Sequence, residues 1–220
     1  MKWLLVSLGL LLSYPSAAET TEDRSFPDDD LESRLAELSE GELILLTSPP
    51  DRPVHHHHNR IQITQESLGH GWVDMEQCHT RLDPVSETQI VYHPERIRNI
   101  QILSSAHIEQ IRIDGPSVQL SGIDREARLC LSAESRALVS LGEGRYRLRN
   151  GPFMRRFLDG YYPMRVTQEI SYPVNLLKLR DFRPLPGRAG AVRQTAGRIL
   201  WDAWLKGRLY TEFDFQLMQH

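Results

Sequence analysis

The chain has 220 residues, a formal net charge of −3, and 40% hydrophobic and 25% charged side chains. That length and balance suit one domain, or two small ones, with a real hydrophobic core. Charge is unevenly placed. Residues 19–58 hold eleven Asp/Glu against three Arg, a net of −8, and residues 59–220 hold eighteen against twenty-two Lys/Arg, a net of +4. So small a basic excess gives no ground for a nucleic-acid partner.

Residues 1–18 read as a secretory signal. Met1-Lys2-Trp3 carries one positive charge, Leu4 to Leu12 is almost wholly apolar, and Tyr14-Pro15-Ser16-Ala17-Ala18 ends the run with small residues. The apolar run is shorter than the roughly 20 residues a bilayer span needs. Cleavage is therefore expected before Glu19, with a periplasmic or secreted mature chain. No Cys follows the run, so no lipid anchor is expected.

Residues 19–58 read as an acidic leader containing Pro and His. Asp28-Asp29-Asp30 can cap a short helix whose apolar stripe is Leu31, Leu35 and Leu38, with Gly41 as its stop. Glu42 to Thr47 reads as a short strand, and Ser48 to Pro53 as a rigid extended turn. The leader is either a solvated segment or one that docks on the basic body.

From Asn59 onward the apolar period is two. Ile61/Ile63, Val73/Met75, Ile90/Tyr92, Ile100/Ile102, Ile111/Ile113, Val118/Leu120, Leu129/Leu131, Tyr146/Leu148 and Met164/Val166/Ile170/Tyr172 alternate with polar positions. Turns are expected at Asp114-Gly115-Pro116-Ser117 and Gly142-Glu143-Gly144. This predicts a mainly β body over 59–220, an antiparallel sandwich or meander, with one or two minor helical turns. Gly151-Pro152 followed by Phe153 to Gly160 fits such a turn. Residues 177–190, punctuated by Pro184, Pro186 and Gly187, form either a soft domain boundary or a long loop. Ile199 to Leu205 fits helical and strand spacing alike. With Leu209, Thr211, Phe213, Phe215 and Leu217 alternating after Lys206-Gly207, residues 198–217 are read as a β-hairpin. The runs are too short and too often charged for a transmembrane barrel.

Three groups of residues can carry chemistry. Cys78 and Cys130 are the only cysteines, and an even count in an exported chain predicts a disulfide. His79 beside Cys78 offers a thiol–imidazole pair, but strand neighbours point to opposite faces. The run His55-His56-His57-His58 is expected in an exposed, flexible loop, where imidazoles can chelate Zn, Cu or Ni, with His70, His79 and His93 as further ligands. Its alternative is a polar loop that binds nothing. Arg145, Arg147, Arg149, Arg155, Arg156 and Arg165 lie among Phe153, Phe157, Tyr161 and Tyr162. Alternation puts the first three on the wet face of a strand. Arg155 and Arg156, in a loop with Phe153, Phe157, Tyr161 and Tyr162, are the candidate site for an acidic partner or anionic ligand.

No catalytic motif is present: no nucleophile elbow, zinc-protease helix, phosphate-cradling loop or dinucleotide fingerprint. Three function classes follow. The leading one is a non-catalytic binding or scaffolding protein of the bacterial envelope, whose partner is an envelope protein or an anionic envelope component. The others are a metal-handling periplasmic protein using His55–His58, and an envelope hydrolase with a discontinuous site.

Overall fold

The computed structural model describes residues 41–157 and 160–218. The signal-like segment and the helix expected over 31–38 lie outside the described residues. In chain order the elements are β1 (Ile44–Leu45), β2 (His56–Gln62), α1 (Ser67–His70), β3 (Trp72–Thr80), β4 (Glu87–Val91), a 3-10 turn (Pro94–Arg96), β5 (Ile97–Asp114) and β6 (Ser117–Arg136). They continue with β7 (Leu138–Gly142), β8 (Arg145–Phe153), β9 (Arg156–Phe157), β10 (Gly160–Tyr161), β11 (Met164–Ser171), β12 (Leu177–Arg183), β13 (Ala191–Thr195), β14 (Arg198–Lys206) and β15 (Leu209–Leu217).

Among the described residues these strands make a sandwich. The larger sheet runs β1-β14-β11-β2-β3-β6-β4, with β13 also on β14 and β5 on the other edge of β6; the smaller runs β12-β15-β8-β7. Pairing is antiparallel except between β2 and β11. Period-two sequence puts alternate side chains inward. Leu129, Leu131, Ile199, Trp201 and Leu205 of the large sheet meet Leu148, Leu209, Phe213 and Phe215 of the small one. Each such side chain contributes about 1.5–3 kcal/mol by leaving water. No helix among the described residues is long and apolar enough to cross a membrane.

The β5–β6 hairpin closes one side of the core by bending. Val91 pairs with Ser117 at its tip and Ile97 with Ser135 near its base. A straight strand from 117 to 135 would span about 60 Å, yet residues 91 to 97 can reach only about 22 Å. The hairpin must therefore fold back on itself. It does so at bulges, where the β5–β6 register shifts three times and Asn99, His107, Gly122 and Glu126 take positive φ. The bend brings Tyr92 inward beside Gln77, and burial raises the Tyr92 pKa.

Four expectations change. The described residues 153–157 and 160 are not helical: β8 runs through Phe153, which pairs with Leu209, and β9–β10 is a two-residue ladder. Ladder bonds and burial of Phe153 outweigh the local helix signal of Gly-Pro. Residues 198–217 are two strands, but not a hairpin. β14 belongs to the large sheet and β15 to the small one, so Lys206-Gly207-Arg208 arches between layers. The change of period at Asn59 falls inside β2, which begins at His56. Residues 177–183 form β12, within the single compact unit Ser39–His220.

The arch depends on Gly207. Its φ is +84°, and an added Cβ would collide with the Glu42 carbonyl oxygen, just before β1. Gly207→Ala is expected to cost at least 2 kcal/mol, from about 1–3 kcal/mol of backbone strain plus the collision. Urea unfolding of the variant beside the parent measures it; a loss under about 0.5 kcal/mol would show the arch tolerates a side chain.

Candidate functional site

The four histidines are not in a loop. His56–His58 open β2, a central strand of the large sheet, and alternation divides the run. His55 and His57 turn inward, while His56 and His58 turn outward. This corrects the expectation of an exposed, jointly chelating run.

The inward pair joins His79 of β3 in a buried polar patch. The Gln77 amide nitrogen donates to His79 Nε2 at 2.6 Å, so the His79 proton sits on Nδ1 and is donated to His55 Nε2 at 2.9 Å. His57 Nε2 donates to Asn59 Oδ1 at 2.8 Å. The His57 ring meets those of His79 and Phe153 edge-on at 4.5 and 4.8 Å. Asn59, Gln77 and Gln168 line up across three neighbouring strands, and Asn150 of the small sheet reaches Gln168 at 3.4 Å. Both His79 ring nitrogens and His55 Nε2 are thus occupied by hydrogen bonds that require neutral rings. Among the described residues, no three His, Cys, Asp or Glu side chains converge to hold a metal ion. His70 and His93 bond backbone N–H groups beside them instead.

The arginine–aromatic segment is also divided. Arg145, Arg147 and Arg149 stand on the wet face of β8, where Arg147 grips Asp214 through two bonds of 2.6 and 2.8 Å. Arg155 is half-buried. It makes a bidentate pair with Asp83 and donates to the Pro163 carbonyl at 2.9 Å, pinning β9 to the loop after β3. Its guanidinium lies 5.8 Å from the Phe157 ring centre and 5.5 Å from that of Tyr162, which meet edge-on. Phe153 is core. Of Phe153, Arg155, Arg156, Phe157, Tyr161 and Tyr162, only Arg156, over Tyr161, is exposed. Arg155 therefore holds structure, and the segment is not a free loop.

The outward face of the large sheet carries a feature with no local sequence signal. A shallow trough of about 620 Å³ crosses β14, β11, β2, β3, β6 and β5. Cross-strand register builds it: Glu169, Arg60, Glu76 and Ser132 share one row, and Ser171, Gln62, Asp74 and Glu134 the next. Arg60 pairs with Glu76 and lies 3.8 Å from Glu169; Arg198 lies 3.4 Å from Glu169. Four carboxylates and two guanidiniums line the trough, a net of −2. Glu134 is held below its usual pKa by Arg98 and Asn99. The adjoining rows hold His58 opposite Cys78, and His56 bonded to Thr167 Oγ1 at 2.8 Å.

No protein-family model matches this chain, and no curated protein matches it.

His56, Thr167 and Asp202 look superficially like a nucleophile relay, but the protons run the wrong way. Thr167 has one hydroxyl proton and gives it to Asp202 at 2.5 Å, while Arg165 holds that carboxylate through bonds of 2.9 and 3.0 Å. His56 Nε2 must then donate to Thr167 rather than accept from it. The set is a static brace on the sheet.

The buried imidazoles make stability depend on pH. Burial holds His57 down to about 3 and His55 to about 4, the latter helped by Arg155, and takes His79 well below its usual value. Unfolded histidines take protons near 6.5. The folded-state benefit is thus full above that pH and is lost as pH falls toward the folded values. Stability should drop by about 1.4 kcal/mol per pH unit for His57 between about pH 6 and 4, with His79 acting in the same direction, seen as a falling urea midpoint. His57→Leu should flatten that slope. Separately, Arg155→Ser strands the Asp83 carboxylate and should cost about 3 kcal/mol, while Arg156→Ser should stay within about 0.5 kcal/mol. Equal melting temperatures for the two variants would overturn the structural role of Arg155.

Proposed function

We propose that the chain is an exported, non-catalytic binding or scaffolding protein of the bacterial envelope that engages a partner protein through the trough. The signal-like segment 1–18 and a disulfide, which persists in oxidising compartments, support the location. The trough carries the binding assignment. It is open, wide and polar, and Glu76, Glu134 and Glu169 are already paired with arginines, so a partner meets a largely preordered surface. Asp74 and Gln62 are exposed at its centre. Its net of −2 favours a partner segment with basic or polar side chains over an anionic envelope component.

Hydrolysis by paired carboxylates needs one acid held protonated beside one held ionised. Arginine pairing of Glu76 and Glu134 opposes that, which favours binding over the hydrolase reading. A photo-crosslinking residue placed at Gln62 or Asp74 in cells should yield one discrete adduct band, and Tyr210, exposed on the small sheet, should yield none. Asp74→Arg should weaken the Gln62 adduct at least fivefold. Adducts from Tyr210 alone, or from no position, would sink the assignment.

A further inference from the structure

The Cys78–Cys130 bridge is not part of the core. The two residues lie directly opposite each other on β3 and β6, their Cα atoms 4.1 Å apart, the spacing of close pairs in an antiparallel ladder. Both point to the outer face and are only half-buried. The β3–β6 ladder is paired without a register shift on either side of them, from Trp72↔Arg136 to Thr80↔Arg128. Backbone hydrogen bonds hold the strands whether or not the sulfurs are joined, so the bridge can open with both sulfurs still facing each other. His58 stands opposite Cys78 on β2, and Ser104 opposite Cys130 on β5. The groups around Cys78 are the Glu76 carboxylate, 3.8 Å from its sulfur, and Thr80 on its own strand, with Arg60 and Glu169 beyond His58 and Arg128 next to Cys130 on the same face.

We propose that Cys78–Cys130 is a thiol–disulfide exchange site, opened and re-formed on the folded sheet by a dithiol oxidoreductase, with His58 as the proton relay at Cys78. A thiolate of the reductant attacks the Cys130 sulfur. The Cys78–Cys130 bond breaks as a mixed disulfide forms, and Cys78 leaves as a thiolate that takes a proton from solvent through His58. The second thiol of the reductant then attacks the mixed disulfide, gives up its proton, and releases Cys130 as a thiolate that is protonated in turn. Two electrons pass from the dithiol, which becomes a disulfide, to this chain, which becomes a dithiol. In reverse, His58 removes the Cys78 proton and generates the nucleophile. The imidazole occupies the ladder position directly opposite Cys78, and Glu169 lies 3.6 Å from its Nε2 to receive the charged form. Desolvation, then Arg60, keep the ring below its usual pKa, so it is neutral at pH 7. This inference is independent of the trough's role in binding.

The test uses the full exported chain. Millimolar dithiothreitol at pH 7, without denaturant, followed by iodoacetamide, should add two labels by intact mass while the far-ultraviolet circular dichroism of the sheet stays unchanged. Labels that appear only with denaturant, or opening that abolishes the sheet signal, would overturn the exchange site. Re-oxidation of the reduced protein by glutathione disulfide is then followed against pH. His58→Gln should slow it about tenfold at pH 7 and converge on the parent at high pH, where the thiol ionises unaided. A purely structural histidine would not reshape that profile, and superimposed curves would overturn the relay. His70→Gln, remote on α1, should match the parent.

Discussion

The central place of β2 is the constraint on which the rest of the structure depends. This strand pairs antiparallel with β3 on one side and parallel with β11 on the other, so both its edges are spent on backbone hydrogen bonds. Neither register can slip by one residue without exchanging the faces. A slip would drive His56, His58 and Arg60 into the core and push His57, Asn59 and Ile61 into water. The buried amides and imidazoles are costly unless each finds a partner. They therefore penalise wrong registers more sharply than an all-aliphatic interior would. The same locked register lays out the trough, because rows of outward side chains line up only when six neighbouring strands agree.

The bent β5–β6 hairpin supplies the second constraint. Were the hairpin straight, Val118 and Leu120 near its tip would stand away from the core; bent, both are buried. The bulges also irregularise β5, a long edge strand. Broken register and outward polar groups such as Gln101, Ser104 and Gln110 make it a poor template for another chain.

Much of the body was legible because its cause is local. Period-two alternation marked nearly every strand, and Gly-Pro and Gly-Glu-Gly marked two hairpin turns. The disulfide followed from cysteine arithmetic, and the opposed directions of Cys78 and His79 from strand geometry. What was not legible is long-range. The trough needs the register of Arg60 against Glu76 and Glu169, over a hundred residues apart in the last case. The partner of Arg155 is Asp83, and nothing local to either announces it. The histidine run misled because polar residues ordinarily mark a loop, whereas His55, just before β2, and His57 within it turn inward to an imidazole partner from β3 and an amide partner from β2 itself. The arch at Gly207 carries the turn residues of a hairpin, and only the layer to which each flanking strand belongs tells the two apart.

The arch and the parallel pair also set an order of events. β1 completes its pairing with Leu205 and Lys206, and β2 with residues 165–171, so the strands made first wait for those made nearly last. Most of the chain must be delivered before the large sheet can close. Until then β1, one edge of β2 and one edge of β11 have no counterpart, and loop-closure entropy delays their meeting. A chain of this topology assembles late and cooperatively, with adhesive edges open throughout its delivery. Its abundance in the cell is therefore governed as much by how well those edges are shielded in transit as by the stability of the finished sandwich.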